Sequence, residues 1–245
     1  NETTGWWQPN LLLEGFLTTI RLSIWSMLLA CILGVLLGVM ATLKRLLPRL
    51  VAFSYVGLIR NIPPLVFVFI FYFFISSQIV PALGIDTWAR ELGDGGKNAM
   101  NWLLGPPTLI ENLISGVLCL AMFEAAYIAE ITRAGIQSVP TGQHEAAASI
   151  GLSRTQSFRH IVLPQALQAV TPPMANQFIM LIKNSAIVSL ISIQELTFTG
   201  TEIAVSTGRR FETWIVVALM YFVLCFGLSR LFSHLERKQQ QRRAH

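Results

Sequence analysis

Of the chain's 245 residues, 53% are hydrophobic and only 13% are charged, with a mean hydropathy of +0.56. That balance excludes an ordinary soluble domain and points to a polytopic membrane protein. The net charge of +5 is gathered in particular loops, so it reads as topology information, and no basic, aromatic-interleaved stretch suggests a nucleic-acid partner.

Taken in order, Gly5-Trp6-Trp7-Gln8-Pro9 places indoles ahead of the first apolar run, as an interfacial anchor does. The start at Asn1 suggests a trimmed or omitted leader, and no signal-peptide pattern follows it. A first span is expected over about Gly15 to Leu43, with Gly34-x-x-x-Gly38 as a flat face for close helix packing. Lys44, Arg45 and Arg49 form a short basic loop, which the positive-inside rule places in the cytoplasm, leaving Asn1 outside.

The second span, about Val51 to Val80, opens with Arg60-Asn61-Ile62-Pro63-Pro64, where two prolines cannot donate to the carbonyls of Ile59 and Arg60. Freed carbonyls in a membrane are tolerated where they line protein or a wet cavity. Pro81 to Pro107 reads as a polar outside connection carrying Asp86, Glu91 and Asp94 against Arg90 and Lys97. Its Gly95-Gly96-Lys97 lacks the upstream glycine and the following Ser or Thr of a phosphate loop. A third span, about Leu109 to Ser138, contains Glu124, Tyr127, Glu130 and Arg133.

The polar segment 140–164 then interrupts the apolar sequence. Pro140 ends the preceding helix, and Thr141 can cap a new one whose first turn carries Glu145. Ala146, Ala147 and Ala148 favour helix with little bulk, Gly151 suits a left-handed stop, and Ser153-x-x-Gln156 is a capping box for a second helix running to Pro164. The fourth span is expected from Pro172-Pro173 to about Ile191, with Lys183-Asn184-Ser185 in its middle. Ser192 to Glu212, with Glu195 and Glu202, reads as an outside stretch with a re-entrant helix. The last span, about Phe211 to Phe232, ends in Arg230, Arg237, Lys238, Arg242 and Arg243, which places the C-terminus in the cytoplasm. The expected fold is an all-α polytopic membrane protein: one transmembrane domain over 1–245, five spans and a cytoplasmic helical hairpin at 140–164.

The spaced pattern Glu145-Ala146-Ala147, Gly151 and Ile161-x-Leu163-Pro164 resembles the EAA loop of the membrane subunits of bacterial ABC importers. With Arg60-Asn61-x-Pro63 and Leu181-Ile182-Lys183-Asn184-Ser185, nearly the whole chain is similar to their polar amino acid permeases, softly towards those for glutamate, aspartate or several amino acids. The resemblance implies a multi-pass subunit of the bacterial inner membrane. Two such permeases, as homodimer or heterodimer, would form the pathway, and a binding protein outside would deliver an amino acid. Two cytoplasmic ATPase subunits would bind ATP and Mg, leaving this chain without cofactor or catalysis of its own.

Glu145, Ala146, Ala147, Gly151, Ile161, Leu163 and Pro164 would couple the chain to the ATPase. Charges at mid-bilayer cost about 2.5 to 3.5 kcal/mol each on insertion scales, so Glu124 and Lys183 need partners. One reading has Glu124 facing the α-ammonium and Lys183 the carboxylate of an amino acid, helped by Tyr127, Asn184, Ser185 and the Arg60–Asn61 opening. The other is a Glu124–Lys183 ion pair, or separate backbone pairs, that fixes helix register. Glu124 would repel an acidic side chain, which leaves neutral or basic substrates open. The rival function is an ion-gradient-driven secondary transporter or channel, which predicts internal repeats that the chain does not display.

Overall fold

The computed structural model describes residues 10–85 and 94–241, and every regular element among them is helical. The Trp6-Trp7 anchor, Asp86, Arg90, Glu91, Arg242 and Arg243 lie outside the described residues, as do the side chains of Asp94 and Lys97. Among the described residues, five helical segments are long and apolar enough to cross a membrane: Leu11–Thr42, Pro64–Ala82, Ile110–Gln137, Arg154–Ile191 and Arg210–Lys238.

The elements run α1 Asn10–Thr42, α2 Leu46–Arg60, α3 Pro64–Ile70, a π-helical turn Phe71–Ser76 and α4 Ser77–Ala82. After these come α5 Asp94–Leu103, α6 Ile110–Gln137, α7 Thr141–Ser149, α8 Arg154–Ser157, a π-helical turn Phe158–Val162 and α9 Leu163–Asn184. A 3₁₀ stretch Ser185–Ile191, α10 Leu196–Thr207 and α11 Arg210–Gln241 complete the chain.

Four boundaries differ from expectation. The second span is not one helix over Val51 to Val80, because α2 stops at Arg60 and a new helix begins at Pro64. A proline disfavours the helical conformation in the residue before it, and Asn61 closes α2 by donating its amide to the Gly57 carbonyl at 2.6 Å. The fourth span begins well before Pro172-Pro173, and both prolines sit inside α9. Pro164 also fails to end its helix. A π-helical turn precedes it, with the Leu163 N–H on the Phe158 carbonyl, and the chain continues through it into α9. Finally, the connection after Pro81 contains a helix, α5, and Pro81 itself belongs to α4.

The chain divides into two compact units. The first comprises Asn1–Ser26, Val68–Cys119 and Ile182–Phe226. Here α1 lies against α10 so closely that a Cβ on Gly15 would stand 2.3 Å from Thr199 Oγ1. The C-terminal carbonyls of α5, which have no partner within their own helix, are taken by α1. Arg21 Nε donates to the Trp102 carbonyl at 3.1 Å, and Trp25 Nε1 to that of Leu103 at 3.2 Å.

The second unit comprises Met27–Phe67, Leu120–Leu181 and Gly227–His245. Gly34 and Gly38 form the flat face read from the sequence. A Cβ on Gly34 would stand 2.9 Å from the Ala125 carbonyl and 2.6 Å from Ile128 Cβ, and one on Gly38 would stand 2.7 Å from the Ala129 carbonyl. Close backbone approach of this kind is how small residues drive helix packing in lipid. Ala30, Ala121 and Ile128 form the adjoining core, with Met174 of α9 against it.

Candidate docking hairpin and substrate pathway

The hairpin is built by local chemistry. Gly151 has φ +78°, which a Cβ would disfavour, so the glycine supplies the left-handed turn. Its N–H reaches the Ala148 carbonyl at 3.0 Å and the Leu152 N–H that of Ala147 at 3.1 Å, the two bonds of a Schellman stop. Two residues on, Ser153 opens α8 with a complete capping box: the Gln156 N–H meets Ser153 Oγ at 3.3 Å, and the Ser153 N–H meets Gln156 Oε1 at 2.9 Å. The base is held by an apolar cluster of Val139, Val162 and Ala166 with Ile136.

At its start the hairpin departs from expectation. Pro140 is the N-cap residue and Thr141 already helical, so Glu145 falls at the fifth helical position, beyond the first turn. The alanines divide as well: Ala146 and Ala148 are exposed, whereas Ala147 is completely buried. Ile161 is half-buried, and Leu163 and Pro164 are exposed. Ile150, which the sequence reading did not single out, is 74% exposed beside the glycine turn.

The second unit also holds Arg60, Asn61, Glu124 and Tyr127, whereas Lys183, Asn184 and Ser185 belong to the first. Glu124 is completely buried, and Gln177 of α9 donates its amide to Glu124 Oε2. Three residues along α6 the half-buried Tyr127 ring packs on Phe123 at 5.4 Å, and the Arg60 guanidinium stands over it at 5.6 Å from the centroid. That cation–π contact gives Arg60 a partner next to the helix break. Further along, Glu130 and Arg133 are paired as their i,i+3 spacing implies, and Arg133 reaches Gln137 at 2.6 Å.

The prolines at the break leave less backbone open than the sequence implies. The Ile59 carbonyl accepts the Ile62 N–H at 3.4 Å, and Pro63's own carbonyl accepts from Phe67 at 3.0 Å. Asn61, spent on the Gly57 carbonyl, is part of the helix end. Gln177 is the polar residue that pattern reading missed. It sits four residues after Pro173 on a helix placed too late, so its pairing with Glu124 had no visible register.

In the first unit Lys183 is exposed, Asn184 half-buried and Ser185 buried, its hydroxyl donating to the Ile182 carbonyl at 2.7 Å. Here α9 gives way to the 3₁₀ stretch, which ends at Ser192 with φ +61°. Seven residues of 3₁₀ helix is an unusual length and marks a place where the chain can change pitch.

Just beyond, in the outside stretch where the sequence suggests a re-entrant helix, lies a node built on Glu195 and α10. Glu195 is completely buried and caps α10, with the Phe198 N–H on its Oε1 at 2.9 Å. Tyr221 of α11 donates to Oε2 at 2.6 Å. Thr19 of α1 accepts the Leu196 N–H at 3.1 Å and shares its one hydroxyl hydrogen between the Gly15 carbonyl at 3.1 Å and Glu195 Oε2 at 3.4 Å. Burial pushes the Glu195 carboxyl above the ordinary glutamate range, against the hydrogen bonds that favour its charged form.

Residues 15–241 match the family described as the binding-protein-dependent transport system inner membrane component. The chain is 33% identical over 229 residues to the probable glutamine ABC transporter permease protein GlnM of Bacillus subtilis, covering 94% of this chain and 93% of that one. It is 30% identical to the glutamate/aspartate import permease protein GltJ of Escherichia coli K12, over 92% of this chain and 85% of that one. Among solved structures, the crystal structure of an amino acid ABC transporter with histidines superposes with a TM-score of 0.74 at 32% identity, over 93% of this chain and 94% of that one. The inward-facing MetNI methionine ABC transporter shares the fold, with a TM-score of 0.66 at 18% identity and coverage of 93% and 95%.

Proposed function

Because the chain belongs to the inner membrane components of binding-protein-dependent transport systems, we propose that it is the permease subunit of an ATP-driven amino acid importer, coupled to its ATPase through the 140–164 hairpin. The hairpin carries this reading, since a Schellman stop and a capping box fix its elbow while Glu145, Ala146, Ala148 and Ile150 stay exposed for a partner. Bare alanines admit close approach of another backbone, and Ile150 offers an apolar side chain to bury. The N-terminus then lies outside and the hairpin and C-terminus in the cytoplasm, as the basic loops require.

In the assembly two permease subunits form the pathway, two ATPase subunits bind ATP and Mg and receive the hairpins, and a binding protein outside delivers substrate. ATP closes the ATPase pair, the hairpins move with it, and hydrolysis resets the inward-facing state. Coupling requires that the closed pair bind one permease conformation better than the other, because only differential affinity shifts an equilibrium. The substrate is a polar, neutral or basic amino acid. Glu124 meets its α-ammonium and Gln177 orients that carboxylate, while Tyr127 and Arg60 line the approach. The relatives named for glutamine agree with a neutral substrate.

ATPase activity of the whole complex in lipid, with its binding protein, tests the reading. Gly151→Pro forces φ near −65° where the chain has +78°, and Glu145→Arg reverses an exposed charge. Substrate-stimulated turnover should collapse in both variants while the chain still inserts. Uptake indifferent to both, or driven by an ion gradient without ATP, would replace the importer with a secondary transporter.

A further inference from the structure

The second unit contains a groove of about 690 Å³ that the transport reading does not use. Along α9 it runs from Leu167 to Phe178, three helical turns or about 16 Å. That is roughly half of a ~30 Å hydrocarbon core, the depth of one leaflet. Val35, Val170, Met174 and Ala175 line its sides. Phe178 and Phe232 meet edge to face at 6.1 Å and both border it. The Thr171 hydroxyl is turned back onto the Leu167 carbonyl at 2.7 Å. An amino acid would lose its hydration here for almost no polar contact, whereas a hydrocarbon chain would lose nothing.

Thr132 and Thr171 apart, the groove is apolar until the end of α11, where the lining changes to Glu236 and Lys238, one to two turns beyond Phe232. One acid and one base beside a leaflet-deep apolar slot complement a headgroup that carries both charges. We propose that this groove binds a glycerophospholipid with a primary-amine headgroup, its acyl chain along α9, its phosphate on Lys238 and its ammonium on Glu236. Next to Glu236 and Lys238 in the sequence, Arg237 adds positive charge that attracts a phosphate. The site needs only that α11 cross the membrane, so it stands apart from the docking and substrate assignments.

The test uses the complete importer, released in mild detergent for native mass spectrometry. In parallel it is reconstituted into nanodiscs of phosphatidylcholine alone, or with equal fractions of phosphatidylethanolamine or phosphatidylglycerol. Each permease chain should retain one phosphatidylethanolamine, and that lipid should raise the thermal inactivation temperature above both alternatives. Ala175→Phe fills the slot and should abolish retention, Lys238→Glu should weaken it at least tenfold, and Glu236→Gln should erase the preference for ethanolamine over choline. The two rim residues are at the surface and leave the packing intact, so they carry the test if Ala175→Phe does not fold. Equal retention of phosphatidylglycerol, or retention unmoved by the rim variants, overturns the proposal. So does loss of permease pairing without any lipid in Ala175→Phe, which would make the groove a protein contact.

Discussion

Two carboxylates, Glu124 and Glu195, are both completely buried, and the difference between them lies in where the backbone puts them. Glu195 precedes the first turn of α10, where helix N–H groups have no partner of their own, and Phe198 gives it one. Hydroxyls from α1 and α11 complete its surroundings, so three elements of one unit meet on a single side chain. Glu124 sits inside α6, where the backbone N–H groups are committed to the helix, and a side-chain amide, that of Gln177, donates to it. A carboxyl at a helix start is explained by the helix. One in the middle of a membrane helix has no such local reason, and that makes it the stronger candidate for meeting a substrate cation.

Truncating the two acids should therefore fail in different ways, and this is the largest effect expected. Glu195→Ala removes a cap and the carboxylate acceptor of Tyr221, a loss of about 2 to 4 kcal/mol, seen as a lower thermal inactivation temperature with an unchanged KM for uptake. Glu124→Ala should reduce uptake by about a hundredfold or more in a complex that still assembles, because it deletes the group proposed to hold the ammonium. Should Glu124→Ala destabilise the complex and leave the KM of the surviving fraction intact, both carboxylates would be structural and the substrate assignment would fall. Gln177→Leu is a milder form of the same experiment. Loss of one amide donor to a carboxylate is worth about 1.5 kcal/mol, hence about a tenfold rise in KM, and a KM within twofold of native would remove Gln177 from the site.

Much of this was legible in the chain because the relevant signals are local. The φ requirement at Gly151, the Ser153–Gln156 box and the Gly34–Gly38 face are each decided within a few residues, and each is where the sequence places it. What misled was proline. At Pro63 it breaks a span that the sequence reads as one run over Val51 to Val80, whereas Pro164, Pro172 and Pro173 pass inside a continuous helical run. Neighbouring helices and a π-helical turn can re-satisfy the groups that a proline frees, and a linear pattern does not display them. The candidate site suffered for the same reason. Glu124 and Tyr127 share one helix and were visible together, whereas Gln177 joins them only through the register of α9 against α6. The Glu195 node depends on residues 176 positions apart, Thr19 and Glu195, so no window of sequence could contain it.

That node supplies the finest test of the contrast, because it titrates. Burial holds the Glu195 carboxyl above the ordinary glutamate range, so the fold favours its protonated form. The stabilisation is complete below the unfolded carboxyl pKa and is lost as pH rises through the raised folded value. Thermal inactivation of the native complex should thus come earlier as pH climbs through that window, and Glu195→Gln, neutral throughout, should lack this part of the slope. Tyr221→Phe should do the opposite on a small scale. It removes a donor that favours the ionised carboxylate, so the fall should move to higher pH and the complex should lose about 1 kcal/mol, while uptake KM stays native. Parallel pH profiles for the native chain and Glu195→Gln would mean that Glu195 keeps one protonation state throughout, and the contrast with Glu124 would then rest on geometry alone.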